Sequence, residues 1–327
     1  MKNLALIEWL AIGGVTLLAW PFVQFYDIVD LASLPTLILI FSLPHFALSY
    51  FLFYSQKGLA RSHKIAAYAA PLALIVLLFL FSSSIARMSI LVHVGFALFF
   101  HHIAKQAYGV GLYYSGQPTR YSKFWKYSLL TASLAWALTT WLEQQSKPGT
   151  FMAFKSFIHT VELAPSYAVA ARWFALVATG ACVVAWLRVA RHTPPSVTLM
   201  SWTPLCALIV WCQPQLGLTP LGLMPVLHGF QYMPFAWKKM NREGWRVFVS
   251  FGVALAALPV GWVLFQGSSA WLFKLSFPRA EALVSAVYIF LNVHHYILDR
   301  YMWTRKSFYD RNVDTITAES ERTDLAA

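Results

Sequence analysis

The sequence predicts an all-α fold, a polytopic membrane bundle of about ten transmembrane helices. Three observations lead there. The chain is 58% hydrophobic and only 12% charged, with a mean hydropathy of +0.56, whereas soluble domains are nearer a quarter charged. Apolar runs of about 20 residues recur from end to end, the length that crosses a bilayer. The basic residues gather in alternate short connections, which is how cytoplasmic loops are marked.

Taken in order, the predicted spans cover roughly 5–26, 31–55, 65–84, 87–114, 123–143, 166–190, 196–214, 218–237, 244–266 and 279–303. The first is apolar but carries Glu8, lacks a small-residue cleavage site and is followed by more spans, so it reads as a retained helix rather than a signal peptide. Lysine and arginine cluster after every second span. The clusters are Lys57, Arg61 and Lys64; Arg120, Lys123 and Lys126; Arg188 and Arg191; Lys238, Lys239, Arg242 and Arg246; and Arg300, Arg305, Lys306 and Arg311. Both termini are therefore expected in the cytoplasm. The opposite loops are poorer in basic residues, with Asp27 and Asp30 in the first.

Segment 147–163 is too short and too charged to span and reads as an interfacial helix carrying His159. Residues 1–303 form one membrane domain, and 304–327 a polar, disordered cytoplasmic tail. The net charge of +12 reports orientation, so no nucleic-acid partner is expected. Three cysteines, with no C-x-x-C, argue against a disulfide framework and against a thiolate metal site.

The informative residues are six histidines: His45, the pair His101-His102, His228, and the pair His294-His295. All lie on the second, fourth, eighth and tenth spans, which run from outside to inside. They fall about 8 to 13 residues from the cytoplasmic ends, a layer roughly 12–20 Å deep. A bilayer core penalises strongly polar side chains, so a layer of imidazoles calls for a shared partner. A metal ion is the partner that many imidazoles share most readily. The expected ligands are therefore these six.

Their neighbours fit a built site. Lys105 and Gln106 follow His101 and His102 by four residues and share their helix faces. Gln231 and Tyr232 follow His228 by three and four. Asn292, His295, Asp299 and Trp303 make one stripe on the last span. Asp299, Lys105 and Tyr232 are the candidates for chemistry beside the metal. Gln106, Gln231 and Asn292 are the candidates for the hydrogen bonds that hold it. Asp299 can orient a histidine, bind the metal itself, or pair with Lys105. Residues in a tandem pair point about 100° apart, so one pair serves two metals, or one metal and one hydrogen bond. A lone histidine in a span often serves only as a helix-packing hydrogen bonder, and His93 is the weakest candidate for that reason. His63 and His192 lie in basic loops and are expected to be solvated.

An imidazole-rich, carboxylate-poor set argues against a ferritin-like di-iron centre and against magnesium, manganese or calcium. Iron, copper and zinc all suit imidazole, and haem with two axial histidines is an alternative. Non-haem iron at a site reached from the bilayer points to O₂ activation on a lipid-soluble substrate. Clustered span histidines resemble those of the membrane desaturases and hydroxylases, but the H-x-x-x-H and H-x-x-H-H boxes of those families are absent. The stretch SLPHFALSY around Pro44-His45, with further histidines spread over about ten helices, looks closer to the Brp/Blh membrane carotenoid dioxygenases. Phe46 and Ser49 stand where that family has glycine and aspartate. The resemblance implies histidine-held iron and oxidative cleavage of a carotenoid. NVHHYILDRYMW resembles a stretch of bacterial membrane proteins, which implies a bacterial inner membrane. The expected partners are the lipid bilayer, a hydrophobic small molecule and O₂, with no particular redox partner indicated. Two rival readings are a haem-binding electron-transfer or haem-handling membrane protein, and a transporter of metal ions or protons.

Overall fold

The computed structural model describes residues 2–18, 34–56, 58–82, 85–114, 122–145, 163–191, 195–211, 219–242 and 279–302, with isolated helical positions between 249 and 259. All regular structure among them is helical, as expected. Helix α1 (Lys2–Trp9) runs into a wide π-helical turn, Leu10–Gly14. Helix α2 is Leu34–Ser55. A single turn, Leu59–Ser62, and a second π-helical turn, Ile65–Ala69, lead into α3, Ala70–Ser82. There follow α4 (Ile85–Tyr114), α5 (Ser122–Gln145), α6 (Pro165–Ala190), α7 (Pro195–Trp211), α8 (Thr219–Arg242) and α9 (Arg279–Met302).

Where the spans are described, these bounds lie within a few residues of the predicted ones, with one clear difference; residues 19–26 of the first span lie outside the described residues. The eighth was expected to end near 237 but runs on to Arg242. Lysine and methionine are good helix formers, so Lys238, Lys239 and Met240 extend it. Lys238 is also anchored, 2.9 Å from Glu8 on α1. The interfacial segment with His159, His192, Trp303 and the tail from 304 lie outside the described residues, as does most of the ninth predicted span.

Among the described residues, one helix, Pro165–Arg188, is both long and apolar enough to cross a membrane. Leu6–Leu18, Ile65–Phe81 and Leu199–Val210 are shorter apolar helices. Helices α4, α8 and α9 carry polar and charged residues among their apolar ones, and those three bear site histidines.

Local sequence explains the joints. Proline stands at the first position of α6 and α7, where its missing N–H costs nothing. Gly58 (φ 87°) makes the left-handed turn after α2. Gly13 (φ 145°) kinks the first π-helical turn. A Cβ there would come within 2.7 Å of the Ala207 Cβ, so only glycine lets this turn settle on α7.

Packing then fixes which helices meet. Helix α2 lies against α8 and α9, α9 also against α4, and α4 against α5 and α7. Contacts at matched offsets show that three of the histidine-bearing helices, α2, α4 and α8, run the same way. His45 meets His228, and four residues on Ser49 donates to Tyr232. Gln106, four after His102, reaches the His228 carbonyl and Gln231. One apolar core joins α4 to α7 with Met224 of α8, and a second joins α2, α8 and α9. On α8, Met224 belongs to the first and Tyr232 to the second, and His228 lies between them.

Candidate metal centre

Four of the six predicted histidines converge. His45 on α2, His102 on α4, His228 on α8 and His295 on α9 form a circuit of rings. Neighbouring centroids are 4.7 Å (His45–His228), 5.0 Å (His228–His102), 5.2 Å (His102–His295) and 4.4 Å (His295–His45). His45, His228 and His295 can each bring a ring nitrogen within 4.8 Å of the others. His102, His295 and the Asp299 carboxylate do the same. His45, His228, His295 and Asp299 are buried, and His102 nearly so.

Hydrogen bonding distinguishes this cluster from an ordinary polar core. Seven ring nitrogens have no hydrogen-bond partner among the described residues: both of His45, His228 and His295, and Nε2 of His102. A buried polar atom without a partner costs about 1–3 kcal/mol. Seven such atoms on four neighbouring rings would be a severe burden on a fold that gained nothing from them. A neutral imidazole offers one lone pair, and lone pairs on four converging rings are what a transition-metal ion takes up.

The other member of each tandem pair lies outside the circuit. His294 is fully employed elsewhere: its Nδ1 lies 2.9 Å from the Tyr50 hydroxyl and its Nε2 lies 3.0 Å from the Ala66 carbonyl. A carbonyl only accepts, so Nε2 carries the hydrogen and Nδ1 accepts from Tyr50. His294 therefore pins α9 to α2 and to the second π-helical turn. His101 is half-buried and belongs to neither ligand group. In the His294-His295 pair one ring joins the circuit and the other is a hydrogen bonder.

The remaining predicted residues divide in the same way. Asp299 Oδ2 lies 3.3 Å from His295 Nε2 and 3.6 Å from His102 Nε2. Tyr232 is buried with its ring edge-on to His45, centroids 4.1 Å apart. Gln106 donates to the His228 carbonyl (3.2 Å) and to Gln231 Oε1 (3.3 Å), and Gln231 donates to the Ile12 carbonyl (2.8 Å). Those two amides brace the backbone beside His228 and join it to the first π-helical turn. Asn292 accepts from Tyr296, whose ring stacks on His102 at 4.1 Å. Lys105 is exposed. His93 packs its ring on Trp141, and His63 on Tyr301.

Ser49, Tyr50, Tyr296 and Phe46 were not foreseen as parts of the centre. Phe46 packs against His295 with centroids 5.0 Å apart. Spacing held a signal for two of them: Ser49 is four after His45 and Tyr296 four after Asn292. No family model, curated protein or solved structure matches the chain, so the reading of this centre rests on its residues.

Proposed function

We propose that the chain is a polytopic membrane protein of about ten spans whose buried histidines bind a transition metal. We further propose that it is an oxidoreductase, an iron oxygenase acting on a hydrophobic substrate such as a carotenoid, isoprenoid or acyl lipid. The observation that carries the metal reading is the set of unpartnered ring nitrogens on His45, His102, His228 and His295. The donor set of imidazoles with one carboxylate and no thiolate suits iron, and also zinc or copper(II). Rings this close, each on a separate helix, favour a bare ion over haem, whose macrocycle needs a broad open plane. When bound, iron supplies the capacity to activate O₂ toward an unactivated C–H or C=C bond.

The chain's own residues supply the setting. Phe46 and Tyr232 line His45 and His295 with aromatic surface, which keeps water from the ligands. Ser49 fixes the Tyr232 hydroxyl, and Tyr296 holds the plane of His102. The membrane reading draws on composition and on the outward faces of α3 and α6. Phe79 is 78% exposed, Val177 71% and Trp173 65%, an apolar band that lipid would cover.

Detergent-purified protein is expected to retain iron near one equivalent and to show no Soret band. A Soret band would turn the assignment to haem, and absence of any transition metal would reject the oxygenase. Metal flux into liposomes would favour a transporter. Reporter fusions after Arg120 and Lys239 are both expected to report cytoplasm, and a periplasmic signal at either would overturn the span count or the orientation.

A further inference from the structure

Resting on the metal reading, we infer that the centre holds one ion rather than two, and that Asp299 Oδ2 is a direct ligand beside the four imidazoles. The alternative is a carboxylate that stands behind a ligand histidine and orients it. Such a carboxylate accepts the ring N–H head-on. Asp299 does not. Its Oδ2 is near enough to His295 Nε2, at 3.3 Å, but the direction fails and that nitrogen forms no hydrogen bond.

Shared coordination accounts for both the distance and the misdirection. Two donors on one ion, each bonded at about 2.1 Å and about 90–110° apart, lie roughly 3.0–3.4 Å from each other. Their lone pairs point at the ion and not at one another. His295 Nε2 and Asp299 Oδ2 have that spacing, and His102 Nε2, at 3.6 Å from the same oxygen, is a few tenths beyond it.

The circuit of rings argues for a single ion. His228 and His295 face each other across it with centroids 6.5 Å apart. An ion bonded to a ring nitrogen lies about 3.2 Å from the ring centre, so two rings on opposite sides of one ion stand about 6.4 Å apart. The donors lie in two triplets, His45–His228–His295 and His102–His295–Asp299, joined through His295, so a single ion requires His102 and Asp299 to close onto the first triplet. Two ions about 4 Å apart would divide five donors between them and leave each poorly held. Four imidazoles and one carboxylate make a borderline-hard, singly anionic set. It suits divalent iron, cobalt or zinc and disfavours copper(I), which prefers sulfur.

The test uses the full-length protein in detergent, stripped of metal and titrated with cobalt(II), whose ligand-field bands report its ligands. Wild type is expected to bind one equivalent. Asp299→Asn is expected to lose about 100-fold or more in affinity and to shift the bands, with partial recovery in Asp299→Glu. An orienting carboxylate would cost only about 10–100-fold and leave the bands in place. Unchanged bands in Asp299→Asn, or two equivalents in wild type, would overturn the inference while the metal reading stands. Wild type that takes up no cobalt, iron or zinc would overturn both. Should Asp299→Asn fail to fold, anomalous scattering from the cobalt-loaded wild type decides: Oδ2 within about 2.2 Å of the ion supports direct ligation, and a separation above about 3 Å rejects it.

Discussion

Two regions of this molecule bury polar groups in opposite ways. In the α5–α6 pair the interface is built from small residues: Ala132 and Ala135 on one helix, Ala168, Ala171, Ala175, Ala178 and Ala185 on the other. Small side chains let helix backbones approach closely, as they do in lipid, where packing replaces water exclusion as the driving force. The hydroxyls here are satisfied within their own helices. Ser133 donates to Leu129, Thr139 to Ala135, Thr140 to Trp136, and Thr179 to Ala175. The Trp136 indole donates to Thr179 across the pair. Three indole N–H groups of this pair, those of Trp125 and Trp141 on α5 and Trp186 on α6, have no partner among the described residues.

Between α2, α4, α8 and α9 the opposite holds. Four rings converge and seven of their nitrogens have no partner among the described residues, while the groups around them, Gln106, Gln231, Ser49 and His294, are hydrogen-bonded. The hydroxyls and amides next to the rings are satisfied, and the ring nitrogens are not. The first region is a packed interface, and the second is where the proposed metal would bind.

Four experiments bear on that contrast, from the largest expected effect to the smallest. His228→Ala should abolish metal retention, read as metal per protein by elemental analysis, while His294→Ala should keep it. Equal retention in both would erase the distinction drawn within the histidine layer. Stripping the metal from wild type should lower stability by about 2.7 kcal/mol relative to protein in metal at a hundred times its Kd. A thermal midpoint indifferent to chelator would mean that the four rings are not a ligand set.

In the α5–α6 pair the responses should be purely mechanical. Ala175→Leu overfills a fully buried contact and should cost about 1–3 kcal/mol, with metal content unchanged. A loss of metal there would show that the two regions are coupled. Thr139→Val removes a hydroxyl bonded only to its own helix and should cost less than about 1 kcal/mol by thermal denaturation. A larger loss would mean that this hydroxyl has a second role across the interface.

Much of this was legible in the residues alone. The helical class and most helix bounds follow from apolar runs, basic clusters and terminal prolines, because these are local properties of the chain. So does the list of candidates. Matched depth on the predicted spans named all six histidines, since rise per residue converts sequence position into height along a helix, and the four-residue step from His295 named Asp299.

Height is only one coordinate. Which face of each helix turns inward, and which helices are neighbours, depend on packing among segments far apart in sequence. That is why His101 and His102, or His294 and His295, could not be ranked within their pairs: adjacent residues share a depth and differ only in azimuth. Tertiary structure decided it. Tyr50 and the Ala66 carbonyl took up His294, leaving His295 to the circuit, and Gln231 turned to the Ile12 carbonyl instead of to the rings. The sequence by itself determined which side chains stand at the right level. Only the packed bundle decided which of them face one another, because azimuth is set by the neighbouring helix and not by the helix that carries the residue.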